Sequence, residues 1–344
     1  MGASTFKCPS CGAYLEYQPG AKSLVCPYCA TTIDEKQMAA LAGATAQAPQ
    51  QTVQHMRGYH CKMCGAEIIT EETTAATHCY YCHSPVILSD RLDGEYAPDG
   101  VIPFVYDRHK AEEVFSKYLN SHRFIDKKFF SQAQREMFSG VYYPYWLGDI
   151  GSEAVFDGEG TRVSSHISGR DQVTTTRYFS VHREASFTFS NLVRKALSKA
   201  DRLLTDGIHP YQLDQVKDFS SAYLSGFLAE KRDIEQDGPQ ADMEAEAEQL
   251  AQNMIQQPEG YNSLRGKITS YRVRSTRMRY LLLPAWVLTY QAKGKEKPFY
   301  YMLNGQTGKV CGKLPVDYGK LALAALALGG AVCALLCAGG AWLW

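Results

Sequence analysis

Eight cysteines of this chain fall into two sets of four. Cys8, Cys11, Cys26 and Cys29 leave gaps of two, fourteen and two residues, and Cys61, Cys64, Cys79 and Cys82 leave the same gaps. Each position shifts by 53, and Gly12-Ala13 recurs as Gly65-Ala66, so the pattern is a duplication. Two C-x-x-C knuckles about 15 residues apart make a zinc-ribbon pattern, because each knuckle turn aims two soft thiolates at one tetrahedral ion. Four sulfurs close the coordination shell and leave no position for a water, so the expected zinc (Zn2+, two ions) is structural. Disulfides and a redox C-x-x-C are the competing readings. A reduced compartment disfavours the first, and the lack of a thioredoxin-like βαβ setting disfavours the second. His60, His78 and His83 each adjoin a cysteine and are expected to surround the ions rather than bind them.

The residues between the knuckles suit a hairpin that returns the second pair to the first. A module of roughly 25 residues buries too little apolar surface to fold alone, so metal is expected to supply much of its stability. The boundaries read as a first ribbon at 5–33, a linker at 34–57, a second ribbon at 58–89 and a larger domain at 90–316. The linker is rich in Ala and Gln and is expected to let the ribbons move independently.

The larger domain mixes both kinds of element, and the fold class expected is α+β with antiparallel strands. Asp107 is a plausible N-cap for RHKAEEVFSKYLNSH, with Ala111, Val114, Phe115, Tyr118 and Leu119 on one face. VIPFV, VYYPYWLGDI and TTTRYFSVHREASFTF read as strands. NLVRKALSKADRLL reads as a helix with Leu192, Val193, Ala196, Leu197, Ala200, Leu203 and Leu204 facing inwards. A polar, acidic helical stretch ends near Gln257. RVRSTRMRYLLLPAWVLTYQA, KPFYYML and GKVCG then read as a meander, with KGKEK and NGQTG as turns.

After Lys320 come 24 residues without a charge, ending in Trp342 and Trp344. As a helix this segment, 321–344, spans roughly 36 Å, enough for a hydrocarbon core of about 30 Å. It is expected to be a transmembrane helix that makes the chain tail-anchored and single-pass. Lys309, Lys313 and Lys320 precede it, which places the N-terminal region in the cytoplasm. MGASTFKCPS has no apolar core of a signal peptide. Ala325, Gly329, Cys333, Cys337 and Ala341 recur every fourth residue, a small stripe suited to helix pairing.

Charge argues against a polyanion partner. The whole chain has 36 basic and 36 acidic side chains. Residues 1–90 carry five bases against seven acids, so ribbons that bind phosphate backbones are disfavoured, although nucleic acid stays as the alternative partner. Arg272, Arg274, Arg277 and Arg279 suit either a solvated strand face or anionic headgroups. No catalytic motif is found: NGQTGK is not a phosphate loop, and His166, His182, His209 and Cys311 are scattered. No enzyme is expected.

The ribbons, VIPF, VYYPYW, HPYQLDQVKDFSSAYLSGFLAEK, LLLPAWVLTY and MLNGQTGKVCGKLP, in that order, resemble a family of bacterial membrane proteins with N-terminal zinc ribbons. Its members are often labelled transcription-factor-B-type zinc-ribbon proteins or, loosely, primosomal-helicase-like. The resemblance implies stomatin/flotillin-like (SPFH-domain) or phage-shock-type partners at the envelope. It lends nothing to the helicase label, since this chain has no nucleotide-binding motif. Ala30 and His83 stand where relatives often carry a glycine, which eases a positive-φ turn. The reading that results is a membrane-anchored scaffold that recruits cytoplasmic partners.

Overall fold

The structure, a computed structural model, describes residues 3–38, 57–64, 66–79, 82–125, 138–290, 299–312, 314 and 316–342. The centre of the expected linker and the KGKEK turn lie outside the described residues. Within them the protein is a mixed α+β fold with two cysteine clusters near its N-terminus.

Three long strands form the body. β10 (Ser139–Ser168) pairs antiparallel with β11 (Asp171–Lys195) on one edge and with β14 (Ser263–Tyr290) on the other. Their apolar runs are explained by burial on both faces. Along β10, Tyr142, Trp146 and Ile150 enter one core while Tyr145 and Leu147 enter a second. Along β14, Tyr280, Leu282 and Trp286 join the first, and Leu281, Leu283 and Ala285 the second. The two-residue period of a strand deals alternate side chains to opposite faces. From Ser152 onward only alternate residues are buried, Ser152, Ala154 and Phe156 among them, because a helix covers one face there. The expected meander is present: β15 (Phe299–Asn304) pairs with β14, and β16 (Val310–Gly312) with β15.

Helix α1 (Arg108–Ser121) forms as expected, with the Asp107 carboxylate accepting from Lys110 N at 2.8 Å, and buries Ala111, Phe115 and Leu119. The expected helix over 191–204 does not form. Residues 191–195 complete β11, with Val193 opposite Leu147. Ala196, Leu197 and Ala200 are buried in the turn that follows. Helix begins only at α2 (Arg202–Gly207), capped by Asp201, and Leu203 is exposed rather than inward. Pairing with β10 overrides a pattern that fits helical spacing. The acidic stretch is α3 (Asp237–Ile255), whose Met243 and Ala247 join the core of the sheet and whose Ala251 is also buried.

The last helix, α4 (Tyr318–Trp342), leaves the body after Asp317. Among the described residues no helix is long and apolar enough to cross a membrane.

Candidate metal centres

In the first ribbon, β2 (Glu16–Gln18) and β3 (Ser23–Val25) lie between the knuckles and make a small antiparallel sheet with β4 (Thr32–Ile33), which follows the second. In the second, β5 (Arg57–His60) pairs with β6 (Glu67–Thr70), while β7 (Thr74–His78) pairs with β8 (Pro85–Leu88). The shift of 53 recurs in the buried supports: Phe6, Leu15 and Ile33 of one ribbon correspond to Tyr59, Ile68 and Val86 of the other. It recurs in the backbone too. Cys8 N donates to Ala13 O and Cys61 N to Ala66 O; Cys26 N donates to Thr31 O and Cys79 N to Ser84 O.

This scaffold brings all eight predicted cysteines into two clusters, each with its four sulfurs within 4.8 Å of one another. Sγ separations are 3.5 Å for Cys8–Cys29 and Cys11–Cys26, 3.6 Å for Cys61–Cys82 and 3.7 Å for Cys64–Cys79. A disulfide would need about 2.05 Å, so these are free thiols arranged around a common centre. Either cluster could hold one metal ion.

The surroundings lower the thiol pKa of Cys8, Cys29, Cys61 and Cys82 and raise that of Cys11 and Cys64. The hydroxyl of Thr31 lies 3.1 Å from Cys29 Sγ, and with the Thr31 backbone N–H it draws that thiol below its ordinary value. In the second ribbon Ser84 Oγ lies 3.1 Å from Cys82 Sγ and 3.4 Å from Cys61 Sγ. Burial opposes ionisation of Cys61, but the Ser84 hydroxyl and the backbone N–H groups of Cys64 and Met63 outweigh it and bring the thiol down to about 6. Thr31 and Ser84 are also related by the shift of 53, a signal that the cysteine spacing alone did not flag. Ala30 and His83 adopt φ of 58° and 55°, the left-handed turn expected there.

Both ribbons are packed on the body, contrary to the independent motion expected. Tyr17 N donates to Ser225 O at 2.9 Å, the Tyr17 and Tyr223 rings meet edge-on at 5.2 Å, and Glu35 accepts from Lys217 and Tyr223. Those two donors, Lys217 foremost, hold the Glu35 carboxyl below its usual range. β7 of the second ribbon joins β13 (Leu228–Glu230) and so enters the main sheet. β1 (Ala3–Ser4) crosses from the first ribbon to pair with β8 of the second.

Other residues singled out in the sequence are not brought together. His78 is half-buried in β7, and burial lowers its pKa; His60 and His83 are exposed. Arg274 pairs with Glu153 at 2.5 Å and Arg279 lies 3.9 Å from Asp149, which fits a solvated strand face stitched to β10. NGQTG is a turn between strands, organised by the buried Asn304 side chain, which accepts from the N–H groups of Gln306 and Thr307.

The chain is 32% identical over 238 residues to the "Uncharacterized protein YdjG" of Bacillus subtilis (strain 168), a match covering 69% of each chain. No family model matches the chain. No solved structure matches it either.

Proposed function

The chain belongs to the family of the Bacillus subtilis uncharacterized protein YdjG, and we propose that its members are membrane-anchored scaffolds that present two zinc ribbons to cytoplasmic protein partners. The observation that carries this is the pair of closed four-sulfur clusters fixed on one body. A zinc–sulfur bond of about 2.3 Å implies tetrahedral edges of about 3.8 Å, close to the separations here. With every coordination position taken by sulfur, such an ion orders the ribbon and activates no water.

The ribbons offer surface as well as order. Tyr14 and Tyr28 meet edge to face at 5.7 Å, with Tyr28 71% exposed beside the knuckle cysteines. Aromatic groups of this kind are common anchors of protein interfaces. SPFH-domain and phage-shock-type proteins are the partners that the bacterial zinc-ribbon resemblance suggests.

The anchor in this reading is α4 with its continuation, the 24 uncharged residues 321–344. Leu323, Leu326, Leu328 and Leu336 are each at least 70% exposed, an unfavourable arrangement in water that lipid would relieve. Lys309 and Lys320 before it favour a cytoplasmic body.

Crosslinking and mass spectrometry on solubilised membranes tests the proposal. Full-length protein is expected to capture specific proteins that Cys11→Ser/Cys64→Ser protein loses. Capture unchanged by those substitutions, or full-length protein that fractionates away from membranes, would refute it. Salt-sensitive retention of single-stranded nucleic acid by the ribbons would favour the nucleic-acid alternative instead.

A further inference from the structure

Where the first ribbon meets the body, a cavity of about 520 Å³ opens between β2, β7, the start of α1 and the first residues of β10. Its volume is in the range of small-molecule sites. Glu16 projects into it from β2, with its stem over Gly226, whose φ of +90° and missing side chain leave the room: a Cβ there would lie 3.3 Å from Glu16 Cβ. Phe138, Phe227 and Trp286 form the apolar wall. Trp286 stacks on Phe138 at 5.3 Å and meets Phe227 edge-on at 6.1 Å, and its indole is fixed by a 3.1 Å hydrogen bond to Tyr106 O.

Among the described residues the half-buried Glu16 carboxylate has no hydrogen bond and no ion pair. The nearby charges are committed elsewhere. Arg108 pairs with Glu112 at 3.2 Å, and Asp107 caps α1. No donor among the described residues meets this carboxylate, which keeps some contact with solvent and so is open to a cationic ligand entering the cavity.

We propose that this cavity binds an organic ammonium group on a short apolar stem, with Glu16 taking the charge and the Phe138, Phe227 and Trp286 rings the stem. The carboxylate supplies a charge-assisted hydrogen bond, and ring faces attract cations through their quadrupoles. A divalent metal fits poorly, since hard cations need several free oxygens and one carboxylate is available. The cavity is assembled from both ribbons and the body, so occupancy would reinforce their docking. The inference stands apart from the scaffold reading, which needs no ligand here.

Isothermal titration calorimetry of the full-length, metal-loaded protein with n-butylammonium, n-butanol and butyrate tests it. Saturable binding of n-butylammonium alone is expected, weakened at least about ten-fold by Glu16→Gln, the scale of one charge-assisted hydrogen bond. Phe227→Leu is expected to weaken it while leaving metal content intact. Titration with N-acetyl-lysine methylamide separates the sources: tighter binding than n-butylammonium assigns the site to a lysine side chain, and weaker binding assigns it to a free amine. No binding of n-butylammonium, equal binding of n-butanol, or binding indifferent to Glu16→Gln would overturn the proposal.

Discussion

Ala30 and His83 occupy left-handed backbone directly after the last cysteine of each ribbon. For residues with a Cβ this conformation costs roughly 1–2 kcal/mol, while glycine's greater chain entropy takes back part of any gain. Ala30→Gly and His83→Gly are therefore each expected to stabilise the protein, by about 0.5 kcal/mol, seen as a higher melting temperature; a fall would contradict the strained-turn account. Thr31→Val and Ser84→Ala remove hydroxyls beside the sulfurs and should weaken metal affinity by about ten-fold in a chelator competition. At Glu16 the direction of pH dependence is set by burial, which raises the carboxyl above its ordinary value. Between the unfolded and folded pKa the folded state holds a proton that the unfolded chain has released, so stability falls as pH rises through that interval. Tyr14, His78, Asp107 and Arg108 share the surroundings and are present in either protein. Glu16→Gln should flatten that part of the melting profile and raise the melting temperature at pH 7; an unaltered profile would count against a withdrawn, unpartnered carboxylate.

Elements were legible in the sequence where local signals and burial agree. α1 carries its cap at Asp107 and its apolar stripe in one segment, and Asp107→Ala is expected to cost about 1 kcal/mol in chemical denaturation. The two four-cysteine clusters were legible in the sequence, because paired C-x-x-C knuckles at this spacing suit four sulfurs around one centre. Residues 191–204 misled because Leu192, Val193, Ala196 and Leu197 fit a helical period, while the decisive fact, the edge of β10 beside them, lies more than 40 residues away in sequence. Strand length was also hidden. Beyond Thr161, β10 leaves β14 and continues with β11 alone to the turn at Gly169, with side chains from Val163 to Arg177 exposed. Replacing 165–174 with Asn-Gly should therefore leave the melting temperature within about 1 °C, since that tip buries almost nothing. A loss of several degrees would show that the arm packs against something.

At the scale of the whole molecule the first ribbon is part of the core, while the second keeps its own buried cluster of Tyr59, Ile68, Val86 and Leu88 and joins the core through Ala75, Ala76 and Ile87. Phe6, Leu15, Tyr17, Leu24 and Ile33 share one buried cluster with Phe104, Tyr142 and Trp286 of the body. Losing metal should thus lower the stability of the entire unit, with ribbon and body signals melting together, rather than unfolding two loose appendages. That coupling was invisible in the sequence, because contacts such as Tyr17–Tyr223 join residues some 200 positions apart. The account stands on the two clusters being occupied metal centres, and elemental analysis of purified full-length protein tests this most directly. It predicts about two zinc ions per chain, about one in Cys11→Ser or Cys64→Ser and none in the double variant. Full-length protein with well under one equivalent, or variants with undiminished zinc, would contradict it.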